Sequence, residues 1–161
     1  MQRERSGERR SFWVPFLIGV GVIAAVDEIV FHQLLAWHHF YDRATPLVGL
    51  ISDGFLHAAE LLALVAGFMM FSRLRQQGEL QVLRAWAGFF IGGGVFQLFD
   101  GIVDHKLLRL HQIRYDVDNL LLYDLLWNFS GALLILVGVI CWRWAQCEAS
   151  GPPRRHGDAR Y

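Results

Sequence analysis

Four stretches of this chain run almost free of charge: Phe12 to Val26, Gly54 to Ser72, Ala85 to Phe99 and Phe129 to Trp142. A helix crossing the hydrocarbon core of a bilayer needs about 20 residues at 1.5 Å per residue. Each stretch reaches that length only by taking in a few Asp, Glu or His positions, so the pattern predicts four membrane-spanning helices with polar intrusions. The intrusions are ordered. On an ideal helix Asp27, Glu28, His32, His38 and His39 fall within an arc of about 140°, and Asp100, Asp104, His105 and His111 cluster in the same way. In the second helix Asp53, His57 and Glu60 follow i, i+4, i+7 and form one stripe, and Asp124 and Asn128 in the fourth repeat its first two positions.

The two halves resemble each other. A shift of 73 residues lays WVPFLIGVGVIAAVDEIVFHQLLAWH over WAGFFIGGGVFQLFDGIVDHKLLRLH, so that Trp13 meets Trp86, Gly19 meets Gly92, Gly21 meets Gly94, Asp27 meets Asp100, His32 meets His105 and His38 meets His111. At a shift of 71, Asp53 falls on Asp124, His57 on Asn128 and Gly67 on Gly138. The expected architecture is all-α: an integral membrane four-helix bundle made of two parallel two-helix repeats, residues 12–72 and 85–144, joined by a loop at 73–84. Gly19, Gly21 and the run Gly92 to Gly94 offer the small surfaces along which the two units would pack.

Composition adds orientation. The chain has 161 residues, is 54% hydrophobic and carries no formal net charge, with no basic arm of the kind that binds nucleic acid. Arg3, Arg5, Arg9 and Arg10 precede the first span, Arg73, Arg75 and Arg84 lie between the second and third, and Arg143, Arg154, Arg155 and Arg160 follow the fourth. The positive-inside rule then sets both termini, the segment 1–11 and the middle loop in the cytoplasm, and turns the segments around His38 and His111 outward. The first apolar run leads directly into Asp27, Glu28 and His32 with no small-residue cleavage site, so it reads as an uncleaved span. Cys141 and Cys147 lack a CxxC spacing and read as incidental. Residues 145–161, with Gly151, Pro152, Pro153 and Gly157, are expected to be a disordered tail.

Ionisable groups within a span cost about 2.5 to 3.5 kcal/mol each on insertion scales and are usually partnered and functional. Carboxylate with imidazole is the ligand set of zinc, manganese or non-haem iron. The candidate ligands are Asp27, His32, His38, Asp53, His57, Asp100, His105, His111 and Asp124, which could build one shared site or a dinuclear one. On a straight helix Asp27 and His38 stand about 16 Å apart. The expected inner group is therefore Asp27, His32, Asp53, His57, Asp100, His105 and Asp124, with His38 and His111 forming a second site, an outer shell or an access path unless the helix breaks. Glu28 faces Gly101 in the other half and His57 faces Asn128, so the halves differ chemically, and Glu28 or Glu60 is the candidate general base.

The segments VDEIVFHQLLAWHHFYD, ISDGFLH, FDGIVDHKLLRLHQIRYDVDNLLLYD and LLWN resemble a bacterial family of predicted membrane proteins, domain of unknown function 2243, over roughly residues 12 to 142. That resemblance implies a bacterial inner-membrane setting and nothing about chemistry. Three functions remain open. The first is a metal centre doing hydrolytic or redox chemistry on the outer side of the membrane. The second is metal delivery, storage or sensing, with a respiratory or secreted metalloenzyme as partner. The third is a b-type haem held between His residues such as His32 and His105, which the neighbouring Asp side chains disfavour.

Overall fold

The computed structural model describes residues 2–150, with side chains from Ser6 onward. Helix α1 (Gln2–Val26) runs directly into a π-helix (Asp27–Leu34); α2 covers Pro46–Gln76; α3 (Val82–Phe99) runs directly into a second π-helix (Asp100–Leu107); α4 covers Leu120–Ser150. Among the described residues there is no strand. Segments Ser6–Leu34, Pro46–Gln76, Val82–Leu107 and Leu120–Ser150 are each long and apolar enough to cross a membrane. At 31 residues, α2 and α4 are about 46 Å long, enough for the hydrocarbon core and both headgroup layers. Of the tail expected to be disordered, 145–150 belongs to α4, and residues 151–161, including Arg154, Arg155 and Arg160, lie outside the described residues.

Local chemistry sets the helix ends. Thr45 caps α2 by accepting from the Val48 N–H, and Pro46 fills the first helical position, where a missing N–H costs nothing. Arg73 and Arg75 lie in the last turn of α2, where the helix dipole favours cations. The turn into α3 is tied to α1: the Ser11 hydroxyl donates to Glu79 O at 3.1 Å and accepts from Gln81 N at 3.0 Å, and Arg10 pairs with Glu79 at 3.1 Å.

α1 and α3 are the central pair, with α2 against the outer side of α1 and α4 against the outer side of α3. The backbones of α2 and α4 do not approach each other, so the helices form an open row rather than a closed ring. The reason lies in the glycines. A Cβ added at Gly19 would sit 2.0 Å from Phe89 O, one at Gly88 2.0 Å from Phe12 O, and one at Gly92 2.2 Å from Phe16 O. Backbone therefore lies on backbone, as in small-residue membrane seams. Phe12 meets Gly88 and Phe16 meets Gly92, so α1 and α3 run in the same direction. The flanking contacts also use glycine: Gly67 of α2 receives Ile18, and Gly138 of α4 receives Ile91. Large apolar side chains such as Phe55, Leu62, Leu121 and Phe129 are left exposed along the outer helices, the surface a protein presents to lipid.

This seam has a measurable consequence. Gly92→Ala should destabilise the protein by about 1–3 kcal/mol through overpacking. Gly54→Ala, where an added Cβ meets nothing within 4 Å, should be neutral or gain up to about 1 kcal/mol of helix propensity. Thermal unfolding of both variants in one detergent checks this, and a Gly92→Ala protein as stable as wild type would contradict it.

A candidate metal centre at the ends of the central helices

The polar cluster is assembled by the two π-helices. An i→i+5 turn carries more residues than an α-turn, which rotates the side chains that follow, and such turns concentrate at functional sites. The wide turns close with Leu35 N donating to Val30 O at 2.9 Å and Leu108 N to Val103 O at 2.7 Å. Still wider bonds follow, from Trp37 N to Phe31 O and from Leu110 N to Asp104 O, both 2.9 Å. Between them Ala36 and Arg109 adopt left-handed backbone, φ 48° and 52°, which ends each helix. The chain then doubles back over its own helix end, and His38 and His111 return towards His32 and His105.

Four imidazoles result in one group. The His38 and His111 rings stack 4.5 Å apart at 9°; His32 lies 4.5 Å from His38, and His105 lies 4.6 Å from His111. Carboxylates surround them. His32 Nδ1 is 3.0 Å from both Asp53 Oδ1 and Glu28 Oε2, and its Nε2 is 3.6 Å from Asp27 Oδ2. His105 Nε2 is 3.1 Å from Asp100 Oδ2, and His111 Nε2 is 3.5 Å from Asp100 Oδ1. None of these residues exceeds 5% exposure. Phe31 and His105 pack on Trp127, and Arg114 lies 4.7 Å over the Trp37 ring while donating to the Tyr123 hydroxyl at 2.8 Å.

The hydrogen bonds fix which nitrogens are free. His38 Nδ1 donates to Ile113 O at 2.8 Å, and His111 Nδ1 donates to Phe40 O at 2.9 Å. The arrangement is reciprocal: each ring is held by the carbonyl two residues beyond the other. A carbonyl only accepts, so both neutral rings carry their proton on Nδ1 and turn the Nε2 lone pair inward, the orientation that metal-binding histidines take from a partner on their other nitrogen. Among the described residues neither Nε2 has a hydrogen-bond partner and nor does His105 Nδ1, while His32 Nε2 and His105 Nε2 have only their contacts with the Asp27 and Asp100 carboxylates. His111 Nε2 beside Asp100 Oδ1 is an acceptor facing an acceptor. A cation or a proton between them is what relieves that contact. Three sets bring three ligand atoms within 4.8 Å of one another: His32, His38 and His111; Asp100, His105 and His111; and Glu28, His32 and Asp53.

A model of the family described as predicted membrane protein (DUF2243) matches residues 14–145. The chain belongs to this family. No curated protein and no solved structure matches it. The DUF2243 description gives a membrane location and no reaction, so the site itself must carry the chemical argument.

Not every residue singled out in the DUF2243 sequence joins this cluster. Asp27, His32, Asp53, Asp100 and His105 come together as expected from their spacing. His38 and His111, expected outside them on straight-helix geometry, stand at the middle of the group because the helix does break. His57 and Asp124 stand apart from it: His57 Nδ1 pairs with Glu60 Oε1 at 2.6 Å and is half exposed, and Asp124 Oδ2 pairs with Lys106 Nζ at 2.5 Å. Glu60, buried on α2, keeps Oε2 without a hydrogen bond. Two supporting residues were outside the expected ligand set. His39 Nδ1 bonds Asp53 Oδ2 at 2.5 Å, and the Phe40 N–H donates to Asp53 Oδ1 at 2.7 Å, orienting that carboxylate towards His32. Asp104 is buried beside the group. The adjacent pair His38-His39 was a visible signal for the first.

Burial, with His111, His32 and His105 close by, pushes the His38 imidazole down to about 2 from 6.5, so it stays neutral in the folded chain. The unfolded chain takes up that proton near its ordinary value and the folded chain does not. Stability therefore falls as pH drops below about 6.5. Metal-free protein should lose stability between about pH 6.5 and 5, and His38→Gln should flatten that loss in pH-dependent thermal melts. Equal acid slopes would contradict the assignment.

Proposed function

We propose that this protein is a membrane metalloprotein whose His/carboxylate centre lies near the extracytoplasmic face of a cytoplasmic membrane. The observation that carries the reading is the reciprocal pair His38 to Ile113 O and His111 to Phe40 O, which leaves two buried Nε2 lone pairs facing into a ring of carboxylates. Burying Asp27, Glu28, Asp53 and Asp100 together costs several kcal/mol per ion unless positive charge compensates it. No Lys or Arg side chain pairs with any of the four among the described residues. A divalent zinc, iron or manganese ion fits that requirement and this donor set.

The chain reads as two parallel two-helix repeats, 12–72 and 85–144, with segments 1–11, 73–84 and 145–161 on the cytoplasmic side. The matched α-to-π transitions, the matched left-handed residues Ala36 and Arg109 and the mutual Gly19–Phe89 and Gly92–Phe16 contacts support the repeat, and the placement of Arg73, Arg75, Arg84 and Arg143 supports the orientation. His111 belongs to two of the three possible ligand sets, and its single free nitrogen serves one ion. Asp100, His105 and His111 form one of those sets; the repeat-related counterpart, Asp27, His32 and His38, is not among them but has His32 Nε2 3.6 Å from Asp27 Oδ2 and the His32 ring 4.5 Å from that of His38. With one ion in each group every nitrogen is used once and the centre is dinuclear.

A bound ion would supply Lewis acidity or electron transfer. Among the chain's own groups, Glu28 is the general-base candidate, because its Oε2 lacks a hydrogen-bond donor beside His32. Glu60 is a weaker one, since His57 already occupies its Oε1. Metal delivery or storage is the second reading, favoured by the depth of burial and by an adjacent cavity of only about 300 Å³. A haem between His32 and His105 has little support, because the stacked His38 and His111 rings fill that space.

Elemental analysis of protein purified in detergent and loaded with zinc tests this. Two ions per chain are expected, falling in His38→Ala and His111→Ala as in His32→Ala and His105→Ala. One ion per chain would replace the two half-sites with a shared site, and metal-free wild-type protein would overturn the reading.

A further inference from the structure

The two halves differ most where Glu28 and Gly101 correspond. At Gly101 an added Cβ would sit 2.6 Å from Asn128 Oδ1 and 2.7 Å from Trp127 Cδ1, so α4 closes tightly on the second π-helix. On the other side α2 presents Gly54 and His57 to the first π-helix, and the space stays open. A cavity of about 300 Å³ lies there, lined by Glu28, Ile29, Gln33, Asp53, Gly54 and His57. At about 30 Å³ per water this is room for roughly ten waters, enough for a small hydrated ion.

We propose that this cavity is the loading port of the metal centre, through which a hydrated divalent cation passes from the flank of the protein to Glu28 and then to His32. The proposal rests on the metal-centre reading and adds its route and the residues along it. Four features support it. Glu28 and Asp53, both 1% exposed, line the inner wall. Glu28 is held by Gln33, whose Nε2 donates to Oε1 at 2.7 Å, and its Oε2 has no hydrogen-bond donor although His32 Nδ1 lies 3.0 Å away. His57 is exposed at the outer wall and offers a first imidazole. Finally, Asp53 lies seven residues into α2, about 10 Å from the helix start, which sets the opening near the boundary between headgroups and hydrocarbon rather than deep in lipid.

Gly54 makes the port testable without touching a ligand, because an added Cβ there meets no atom within 4 Å. Metal-free full-length protein in detergent is mixed with Co²⁺ alone and its visible absorption is followed in a stopped-flow instrument. Gly54→Phe should slow loading by about tenfold or more while reaching the wild-type final amplitude, Gly54→Ala should load at nearly the wild-type rate, and His57→Ala should load more slowly than wild type. Unchanged rates in both Gly54→Phe and His57→Ala, with wild-type protein binding cobalt, would overturn the port and leave the metal centre standing. Wild-type protein that takes up no cobalt would overturn the metal reading and the port with it. If Gly54→Phe does not fold, the rate of His57→Ala decides.

Discussion

Backbone contact between α1 and α3 governs the rest of the molecule. With no side chain at Gly19, Gly88 and Gly92, the two helices lie close enough for their carbonyls to occupy the space where Cβ atoms would be. Dispersion across so close a contact is the main attraction available in lipid, where burial of apolar surface gains nothing. Parallel helices in contact at Phe12–Gly88 and Phe16–Gly92 also end side by side. Because each end widens into a π-helix and then turns back, their imidazoles interlock instead of projecting into separate loops.

The cluster is then a problem of charge. Its carboxylates and imidazoles satisfy one another only in part: His32 Nδ1 hydrogen-bonds Asp53 and leaves Glu28 Oε2, 3.0 Å away, without a donor, while among the described residues several inward nitrogens keep no hydrogen bond. Asp124 shows the alternative that the chain uses elsewhere, a direct lysine partner in Lys106. Among the described residues no such cation pairs with Asp27, Glu28, Asp53 or Asp100. A structural polar core of this burial would be expected to close its hydrogen bonds. The orphan nitrogens and the acceptor pair at Asp100 and His111 call for a cation or a proton, and they are the ground of the proposed metal ion.

Much of this is readable from residues in order. The apolar runs locate the four helices, and the residues picked out by their recurrence in the sequence fall in the seam, Gly19 and Gly92, and in the cluster, Asp27, Asp100, His32 and His105. The position of His38 is not readable that way, because straight-helix geometry carries it about 16 Å from Asp27 and no local residue type announces an i→i+5 turn. Ala36 and Arg109, left-handed without being glycine or asparagine, hide the helix end for the same reason. Spacing also overstates His57 and Asp124. Both lie on the expected stripe, but Glu60 and Lys106 are nearer partners, and such choices depend on tertiary distance. The unequal pair Glu28 and Gly101 was legible as a difference, and its consequence, one side open and the other filled by Trp127 and Asn128, appears only when α2 and α4 are in place.

The central claim is that histidine nitrogens and carboxylate oxygens of this cluster hold transition metal, and X-ray absorption at the zinc edge of the loaded protein tests it most directly. The expected spectrum shows a shell of nitrogen and oxygen only, with the outer-shell scattering of imidazole rings that disappears in parallel with metal content when His38 and His111 are replaced. A sulfur scatterer, which would implicate Cys141 or Cys147, or a water-only shell without imidazole, would contradict it.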